Sequence, residues 1–299
     1  MTNAQTIKTA LTSAATLLVT DEAMLEAQLL LKHVLNVNRA WLISHESDTL
    51  QPNNHEAYRA LINRRVNGEP IAYILGVREF YGLSLKVTPA TLIPRPDTET
   101  LVDATLAKIP LQKNLNICDL GTGSGAIALA IAKHRPQAHV TALDASQDAL
   151  DIAIENAENL KIPNVDFVLS DWFSALGRKN NPQKFDVIVS NPPYIEANDA
   201  HLSLGDLRFE PRSALASGAD GLDAIRHIIK NAPSHLNPHG WLMLEHGYHQ
   251  ASKVAALLKQ AGFSDISHAK DLSGIERVTI GRLAWYIDKK TFCAVILAN

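Results

Sequence analysis

From about residue 97 onward, short apolar segments alternate with segments of helical periodicity, and this alternation constrains the fold more than any other feature. The strands are predicted at residues 115–119, 140–144, 165–170, 186–190 and 240–245, followed by a pair at 265–268 and 276–281 with the spacing of a hairpin. Helices are predicted between them, for example at 126–133 and 146–159. Strands that alternate with helices form parallel sheets. The sequence therefore predicts an α/β fold with a doubly wound, mostly parallel seven-stranded sheet.

The remainder of the chain divides into three parts. Residues 1–75 carry apolar side chains at helical spacing, such as Ile7 and Leu11, and are predicted to form a small helical bundle. Its charged residues fit either a solvated face or a docking surface for a partner. Residues 76–96 alternate apolar positions between glycines and predict a β-hairpin linker. The α/β domain then spans 97–284, and 285–299 form a tail to which the sequence assigns no role.

Composition excludes several classes of protein. The 299 residues carry a net charge of −3, which is unlike a strongly basic protein that coats nucleic acid. Cys118 and Cys293 are the two cysteines, too few for a disulfide framework or a metal-type cluster. The N-terminus lacks the pattern of a signal peptide, and no apolar run approaches the roughly 20 residues of a membrane helix. We expect a cytoplasmic protein.

A glycine-rich loop follows the first predicted strand of the α/β domain, and an acidic residue precedes it. The loop runs from Asp119 through Leu120, Gly121, Thr122, Gly123, Ser124 and Gly125. Its G-x-G-x-G spacing differs from the dinucleotide fingerprint G-x-G-x-x-G. Glycines let a ligand approach the backbone closely, and Asp119 would repel a phosphate but suit an amine-bearing or cationic ligand. The amino acid moiety and sulfonium of S-adenosylmethionine fit this description.

Polar and aromatic residues mark the ends of the next two predicted strands. Asp144 ends one strand, where a carboxylate can accept both hydroxyls of a ribose. Asp171 and Trp172 follow the other, where an acid can accept from an adenine amino group and an indole can stack on the ring. Each residue alone also fits a structural role, Asp144 as a helix cap and Trp172 in the core. Their position at successive strand ends beside the glycine loop favours a ligand site at the carboxyl edge of the sheet.

The next predicted strand ends in Asn191-Pro192-Pro193-Tyr194. Two prolines remove two backbone donors and fix two φ angles, so the chain leaves the sheet in a stiff, extended form. A plain turn would use Gly, Asn or Asp. The segment therefore indicates rigid hydrogen-bond acceptors at this strand end.

Together these motifs resemble those of the class I S-adenosylmethionine-dependent methyltransferases, in which D-L-G-T-G-S-G and a strand-terminal N-P-P-Y accompany methylation of amino groups. More closely, the chain is similar to the protein-(glutamine-N5) methyltransferases of the HemK type, which act on release factors, over nearly its whole length to about Arg282. The supporting stretches are P-I-A-Y-I-L-G at 70–76, E-F-Y-G at 79–82, L-I-P-R-P-D-T-E at 92–99 and D-L-R-F-E-P at 206–211. The resemblance implies a class I methyltransferase fold whose N-terminal domain docks the substrate.

The resemblance also implies which residues act. Catalytic roles fall on Asn191, Pro192 and Tyr194, and Pro193 joins them in binding the substrate glutamine. A carboxamide nitrogen is a poor nucleophile because its lone pair is delocalised into the carbonyl. The Asn191 side-chain oxygen and the Pro192 carbonyl would accept its two N–H bonds and stabilise the positive charge that develops on nitrogen. The implied cofactor-binding residues are Asp119, Gly121, Thr122, Gly123, Ser124, Gly125, Asp144, Asp171, Trp172 and Asn191.

Five further residues have less specific interpretations. Phe80 and Arg95 lie in the linker and are weaker candidates for the pocket, since they fit a hairpin core and a surface ion pair equally well. Glu245, His246 and Arg277 are interpreted as structural.

The implied substrates are class 1 peptide chain release factors, methylated at N5 of the glutamine in their Gly-Gly-Gln motif, with S-adenosylhomocysteine as the second product. One alternative is a related family that methylates a glutamine of a large-subunit ribosomal protein; the I-P-R-P-D-T-E stretch favours the release-factor branch. The other is adenine-N6 methylation of DNA, which requires base flipping and a basic surface. We expect no stable binding to nucleic acid, metal or membrane, and a monomer.

Overall fold

A computed structural model describes residues 5–178 and 181–284 of the chain. Backbone contacts divide these residues into two units. The first extends to Val77 and also includes Ser203–Phe209, and the second consists of Arg78–Leu202 and the residues from Glu210 onward. The predicted tail at 285–299 lies outside the described residues.

The first unit is a helical bundle. Its helices are α1 (Ile7–Leu17), α2 (Ala23–Leu35), α3 (Arg39–Ser44), α4 (Pro52–Val66) and α5 (Ile71–Leu75). Helix α1 begins where the Thr6 hydroxyl accepts a hydrogen bond from the Thr9 amide. Apolar side chains on one face of each helix, including Leu30 and Leu31 of α2 and Ile62 of α4, form a core that is separate from those of the second unit.

A charged cluster joins α2, α4 and the segment Ser203–Phe209 within the first unit. The Arg65 guanidinium donates to both oxygens of Glu26 at 2.8 and 2.9 Å, and to Asp206 at 3.0 Å. Arg208 donates to the Asn67 carbonyl at 2.9 Å. Because Arg65 and Glu26 are largely shielded from water, this bidentate pair fixes α4 against α2 more firmly than an exposed pair would.

A hairpin of β1 (Val77–Phe80) and β2 (Leu83–Lys86) follows α5 and forms a two-stranded sheet. Tyr81 and Gly82 form its turn, both with positive φ, as the type I′ form of a two-residue hairpin turn requires. The sequence prediction of a hairpin in this segment is confirmed.

The second unit is built on a seven-stranded sheet in the order β10-β11-β9-β8-β3-β4-β5. Its strands are β3 (Asn116–Leu120), β4 (His139–Asp144), β5 (Val165–Leu169), β8 (Phe185–Ser190), β9 (Leu236–Glu245), β10 (Phe263–Lys270) and β11 (Glu276–Leu283). Strand β11 runs antiparallel to both of its neighbours, β10 and β9, and the other neighbouring pairs in this sheet are parallel. Two short strands, β6 (Gly177–Arg178) and β7 (Asn181–Pro182), pair with each other and form a separate two-stranded sheet. The predicted doubly wound, mostly parallel sheet is confirmed.

Helices cover both faces of this sheet. They are α6 (Glu99–Lys108), α7 (Ala126–His134), α8 (Gln147–Leu160), α9 (Asp223–His235) and α10 (Ala251–Gln260). Alternate residues of one strand enter different cores, because side chains point to opposite faces of a strand. Ile117 packs in the cluster that contains α6 and α7, whereas Cys118 packs in the cluster that contains α9 and α10.

The chain changes direction across the sheet between β3 and β8. From β3 it proceeds outward to β4 and β5, and it then returns to β8 on the other side of β3. Ligands of doubly wound sheets bind at the carboxyl ends of the strands at such a reversal. The glycine loop follows β3 and the N-P-P-Y segment follows β8, so the topology brings both motifs to this point.

Candidate active site

A cavity of about 600 Å³ lies at the carboxyl ends of β3, β4, β5 and β8. Seven predicted site residues line it: Gly121, Gly123, Asp144, Asp171, Trp172, Asn191 and Pro193. Six others do not contribute to its lining: Asp119, Thr122, Ser124, Gly125, Pro192 and Tyr194. The remaining wall, which the sequence did not predict, comes from Pro89–Leu92 of the linker, from Ser170, from Ala145, Ser146, Asp148 and Ala149 at the start of α8, and from Pro211, Ser213 and Ala214.

The glycine loop reaches the cavity through its backbone. Gly121, Gly123 and Gly125 all have positive φ, which glycine adopts without strain. The amides of Gly121 and Thr122 both donate to the Leu143 carbonyl, at 2.8 and 2.9 Å. The side chains of Thr122 and Ser124 are buried between the glycines. The loop therefore presents bare backbone to the cavity and anchors itself with the intervening side chains.

Asp144 is held at the end of β4 by two backbone amides. Its Oδ2 accepts from the Gly123 amide and its Oδ1 from the Ser146 amide, both at 2.9 Å. Each carboxylate oxygen can accept a further hydrogen bond, and Asp144 lines the cavity. The arrangement suits bidentate acceptance from two neighbouring hydroxyls, and it also links the glycine loop to the start of α8.

Asp119 lies beneath the loop instead of facing the cavity. Its side chain is fully buried, its Oδ2 accepts from the Thr122 hydroxyl at 2.7 Å, and its Oδ1 has no partner within the described structure. Burial raises the pKa of Asp119 to about 7, against the lowering effect of the Thr122 hydroxyl. Its contact with Thr122 braces the loop from below.

Trp172 lines the cavity from an unusual backbone conformation. Its φ is +51°, which is uncommon for a bulky residue. The Ser170 hydroxyl donates to the Trp172 carbonyl at 2.8 Å and accepts from the Ala175 amide at 3.0 Å, so it closes the turn. The sequence analysis assigned no role to Ser170, although a serine at the end of a strand is typical of a turn. Asp171, which precedes the indole, is exposed on the cavity wall.

The N-P-P-Y segment presents unused acceptors. Asn191 Nδ2 donates to the Thr98 hydroxyl at 3.1 Å, which leaves Asn191 Oδ1 without a donor among the described residues. The Pro192 carbonyl likewise accepts from no group in the described part of the chain. The Tyr194 carbonyl is held by Gln250 Nε2 at 3.0 Å. The segment is thus held in place at Tyr194, while Asn191 Oδ1 and the Pro192 carbonyl accept no hydrogen bond within the described residues.

A buried carboxyl group lies behind this segment. Glu245 ends β9 with 1% of its surface exposed, and the Tyr194 hydroxyl donates to its Oε1 at 3.3 Å. Burial raises the pKa of Glu245 to about 7, and the nearby hydroxyls of Thr98 and Tyr194 and the charge of Arg277 oppose that rise. Burial and the Glu245 charge raise the pKa of Tyr194 as well. Glu245, interpreted as structural from the sequence, therefore contacts a predicted catalytic residue.

The other less specific candidates have defined partners. Phe80 is fully buried in the core beside Leu83 and does not line the cavity. Arg95 pairs with Glu210, whose side chain is completely buried, so this ion pair is not a surface pair. The buried His246 ring hydrogen-bonds the Thr279 hydroxyl at 2.7 Å.

Within residues 5–178 and 181–284, no group of three or more His, Cys, Asp or Glu side chains is placed to hold a metal ion. None of the helices in the described part of the chain has the length and apolarity that a membrane crossing requires.

Comparison with known proteins identifies both units. A methyltransferase domain model matches residues 111–289, and the model of the PrmC N-terminal domain matches residues 9–76. Among solved structures, a methyltransferase from Pyrococcus furiosus superimposes with a TM-score of 0.52 at 21% identity, covering 75% of this chain and 98% of that one. This likeness establishes the methyltransferase fold.

Relatives of higher identity extend over most of the chain. The release factor glutamine methyltransferase of Salmonella typhimurium is 50% identical over 262 residues, which cover 88% of this chain and 93% of the relative. The enzyme of the same name from Escherichia coli K12 is 46% identical over 257 residues, 86% of this chain and 91% of the relative. The resemblance inferred from the motifs is confirmed: the chain belongs to the release factor glutamine methyltransferases, a family of S-adenosylmethionine-dependent enzymes.

Proposed function

We propose that this protein transfers a methyl group from S-adenosylmethionine to the side-chain amide nitrogen of the glutamine in the Gly-Gly-Gln motif of class 1 release factors. The observation that carries the proposal is the pair of unused acceptors, Asn191 Oδ1 and the Pro192 carbonyl, in the segment that borders the cavity. A primary amide has two N–H bonds in one plane. Two rigid acceptors match this group, and family membership supplies the release factor as its source.

The residues of the cavity fit the cofactor. A volume of about 600 Å³ lies within the range of small-molecule sites. Gly121 and Gly123 provide a wall without side chains, Asp144 offers two anchored oxygens to ribose hydroxyls, and Trp172 offers an aromatic face to the base. Asp119, Thr122, Ser124 and Gly125 support the loop from behind. When bound, S-adenosylmethionine supplies an electrophilic methyl group on its sulfonium sulfur.

The contribution of the protein to the reaction is orientation and electrostatic stabilisation. Asn191 Oδ1 and the Pro192 carbonyl hold the two N–H bonds of the substrate amide, so that the nitrogen is presented to the methyl group in line. Both oxygens carry partial negative charge, and they stabilise the positive charge that nitrogen acquires as it forms its new bond. Pro193 lines the cavity beside Asn191, whereas Tyr194 lies behind the segment with its hydroxyl on Glu245. No strong base is needed beforehand, because the N–H proton becomes acidic once nitrogen is alkylated.

The alternative substrates receive less support. The relatives described above carry the release-factor name, so methylation of a ribosomal glutamine is not favoured. Adenine-N6 methylation of DNA would need a basic surface, and the chain has a net charge of −3. A monomer, a cytoplasmic location, the absence of stable nucleic-acid binding and the docking role of residues 1–75 remain predictions.

The experiment that tests the proposal is methyl transfer from labelled S-adenosylmethionine to three substrates in parallel. The purified full chain is incubated with a class 1 release factor, with ribosomal protein or with duplex DNA. We expect label in the release factor alone, on the Gly-Gly-Gln glutamine by mass spectrometry, and none in a release factor with that glutamine replaced by alanine. Label in DNA or in ribosomal protein instead of the release factor would refute the proposed substrate.

A further inference from the structure

The Gln250 side chain links the ends of two neighbouring strands of the second unit. Strands β8 and β9 pair in parallel as far as Ser190 and Leu244, so their carboxyl ends lie side by side. Gln250 lies between β9 and α10, and its side chain reaches the segment that follows β8. Its Nε2 donates to the Tyr194 carbonyl at 3.0 Å, and its Oε1 accepts from the Gly247 amide at 2.8 Å. Because Gln250 is 4% exposed, water does not compete for these hydrogen bonds.

The two contacts determine the orientation of the Gln250 side-chain amide. The Gly247 N–H needs an acceptor, which in this amide is Oε1, and the Tyr194 carbonyl needs a donor, which is Nε2. A second acceptor, the Asp220 carbonyl, lies 3.4 Å from the same Nε2. The backbone of Gln250 is also held, since its amide donates to the Gly247 carbonyl at 3.0 Å and its carbonyl accepts from the Val254 amide at 2.9 Å. The side chain is therefore kept in one orientation from both ends.

A glycine allows the close packing around the Tyr194 carbonyl. At Gly221, whose φ is +72°, an added Cβ would lie 2.2 Å from the Tyr194 carbonyl oxygen and 2.8 Å from Gln250 Nε2. No larger residue fits there without displacing one of them, and a glycine permits such an approach of backbone to backbone. The Tyr194 carbonyl is thus enclosed between Gly221 and Gln250, which leaves it little room to rotate.

The two prolines connect this anchor to the Pro192 carbonyl. Their rings fix φ at Pro192 and Pro193 but leave ψ to be set by the surroundings, and they have no N–H with which to hold themselves in place. Neither proline forms a hydrogen bond within the described residues. The direction of the Pro192 carbonyl therefore depends on how the chain is held on either side. Strand β8 holds it before the prolines, and Gln250 holds the Tyr194 backbone after them.

We propose that Gln250 is a positioning residue that sets the direction of the Pro192 carbonyl by fixing the Tyr194 backbone. This inference rests on the proposed function, in which the Pro192 carbonyl accepts an N–H bond of the substrate amide. Gln250 does not line the cavity, so it acts through the N-P-P-Y segment and not by touching the substrate. Its loss should therefore weaken the chemical step more than the binding of either substrate.

The test uses two variants of the full chain whose side chains are as long as that of glutamine. Gln250→Glu keeps an oxygen for the Gly247 amide but turns its other oxygen toward the Tyr194 carbonyl, which repels it. Gln250→Met removes both hydrogen bonds without adding a charge. We expect both variants to lower kcat for the release factor by about 10- to 100-fold. The KM for the release factor and the Kd for S-adenosylhomocysteine should stay within about threefold of wild type, because the lost interaction acts in the transition state.

Asn164→Asp is the matched control, and it separates positioning from stability. Asn164 Nδ2 also donates to main-chain carbonyls, those of Ala132 at 3.1 Å and Ala138 at 2.9 Å. Asn164 precedes β5 at the amino edge of the sheet and does not line the cavity, so this variant should lower the melting temperature without lowering kcat. Equal losses of kcat in Asn164→Asp and Gln250→Glu, or a kcat for Gln250→Met within about twofold of wild type, would overturn the inference. If Gln250→Glu does not fold, Gln250→Met provides the comparison without a buried charge.

A second readout does not depend on activity. Pro192-Pro193 is the one Pro-Pro pair in the sequence. In protein labelled with ¹³C,¹⁵N-proline, a single carbonyl–nitrogen correlation between two prolines therefore reports on the Pro192 carbonyl. We expect this signal to shift in Gln250→Met and Gln250→Glu but not in Asn164→Asp, and an unchanged signal in both Gln250 variants would contradict the inference. A wild-type enzyme inert toward release factor, with the signal still responding in this pattern, would refute the proposed function and support the positioning of the Pro192 carbonyl by Gln250.

Discussion

Two glycines of the glycine loop differ in what an added methyl group would meet, so their alanine variants should separate an effect on stability from an effect on cofactor binding. In Gly125→Ala, the new Cβ would lie 3.0 Å from Leu129 Cδ1 and 3.2 Å from Ala153 Cβ, at a φ of +83°. In Gly123→Ala it would meet no atom within 4 Å, at a φ of +57°. Both variants carry left-handed strain, and Gly125→Ala also places its Cβ closer to Leu129 and Ala153 than ordinary van der Waals contact, so these neighbours must shift by a few tenths of an ångström.

The magnitudes follow from these two terms. A non-glycine residue in the left-handed region costs about 1–2 kcal/mol, and overpacking a core adds about 1–3 kcal/mol. Gly125→Ala should therefore lower the free energy of unfolding by about 2–5 kcal/mol, and Gly123→Ala by about 1–2 kcal/mol. Gly123 lines the cavity and Gly125 does not. The methyl group of Gly123→Ala should thus enter the cofactor space and weaken binding about tenfold or more, equivalent to about 1.4 kcal/mol.

Urea unfolding and calorimetric binding of S-adenosylhomocysteine measure the two effects on the same proteins. The reasoning predicts opposite rankings: Gly125→Ala is the less stable variant, and Gly123→Ala is the weaker binder. Equal stability of the two variants would show that the contacts of Gly125 with Leu129 and Ala153 relax without cost. Tighter or unaltered binding by Gly123→Ala would show that the cofactor does not approach the loop at this glycine.

Three further predictions concern the site. Asn191→Ala should reduce methyl transfer by about 100-fold or more with nearly intact cofactor affinity, whereas Asp144→Ala should chiefly weaken cofactor binding. Steady-state kinetics and calorimetry measure the two effects, and the reverse pattern would contradict these roles. Gly221→Ala would place a Cβ 2.2 Å from the Tyr194 carbonyl oxygen, so kcat and melting temperature should both fall, and an unaffected kcat would count against a fixed N-P-P-Y backbone. Burial raises the pKa of Asp119 from 3.8 to about 7, so the folded protein retains a proton in this range that the unfolded chain has released. The free energy of unfolding, relative to that of Asp119→Asn, should accordingly decline as pH rises from 3.8 to about 7, by about 1.4 kcal/mol per pH unit in urea unfolding. A difference between the two proteins that does not change with pH would contradict the raised pKa.

Much of the fold could be predicted from the sequence, because the central strands β3, β4 and β8 are largely apolar runs that are buried on both faces. The predicted bounds of six strands lie within two residues of those observed. The exception is β9, predicted from Gly240 but observed from Leu236. Its first residues include Pro238 and His239, which are typical of a turn. The strand accommodates them through an irregularity opposite Phe185 and Val187 and a positive φ at His239.

The site residues that lie at the ends of predicted strands could be predicted from the sequence. Contacts between segments that are distant in the chain could not. Asp144 ends one predicted strand, and Trp172 and Asn191 follow two others, so the topology alone places them together. The directions of the side chains within the glycine loop could not be predicted from the sequence, because they depend on positive φ values at alternating positions. Thr98 is 93 residues from Asn191 in the chain. A hydrogen bond over that separation has no local signature, because it arises from tertiary packing.

The structure explains how a strand end with two prolines keeps an acceptor free. In an ordinary turn the Pro192 carbonyl would accept from the amide of the residue three positions later. That amide, of Ile195, donates instead to the Leu215 carbonyl at 2.9 Å, and the Ile195 carbonyl accepts from the Ser217 amide at 2.8 Å. This short strand-like pairing draws the chain away from the motif. The pairing of Ile195 with Leu215 and Ser217 thus leaves the Pro192 carbonyl without a donor among the described residues.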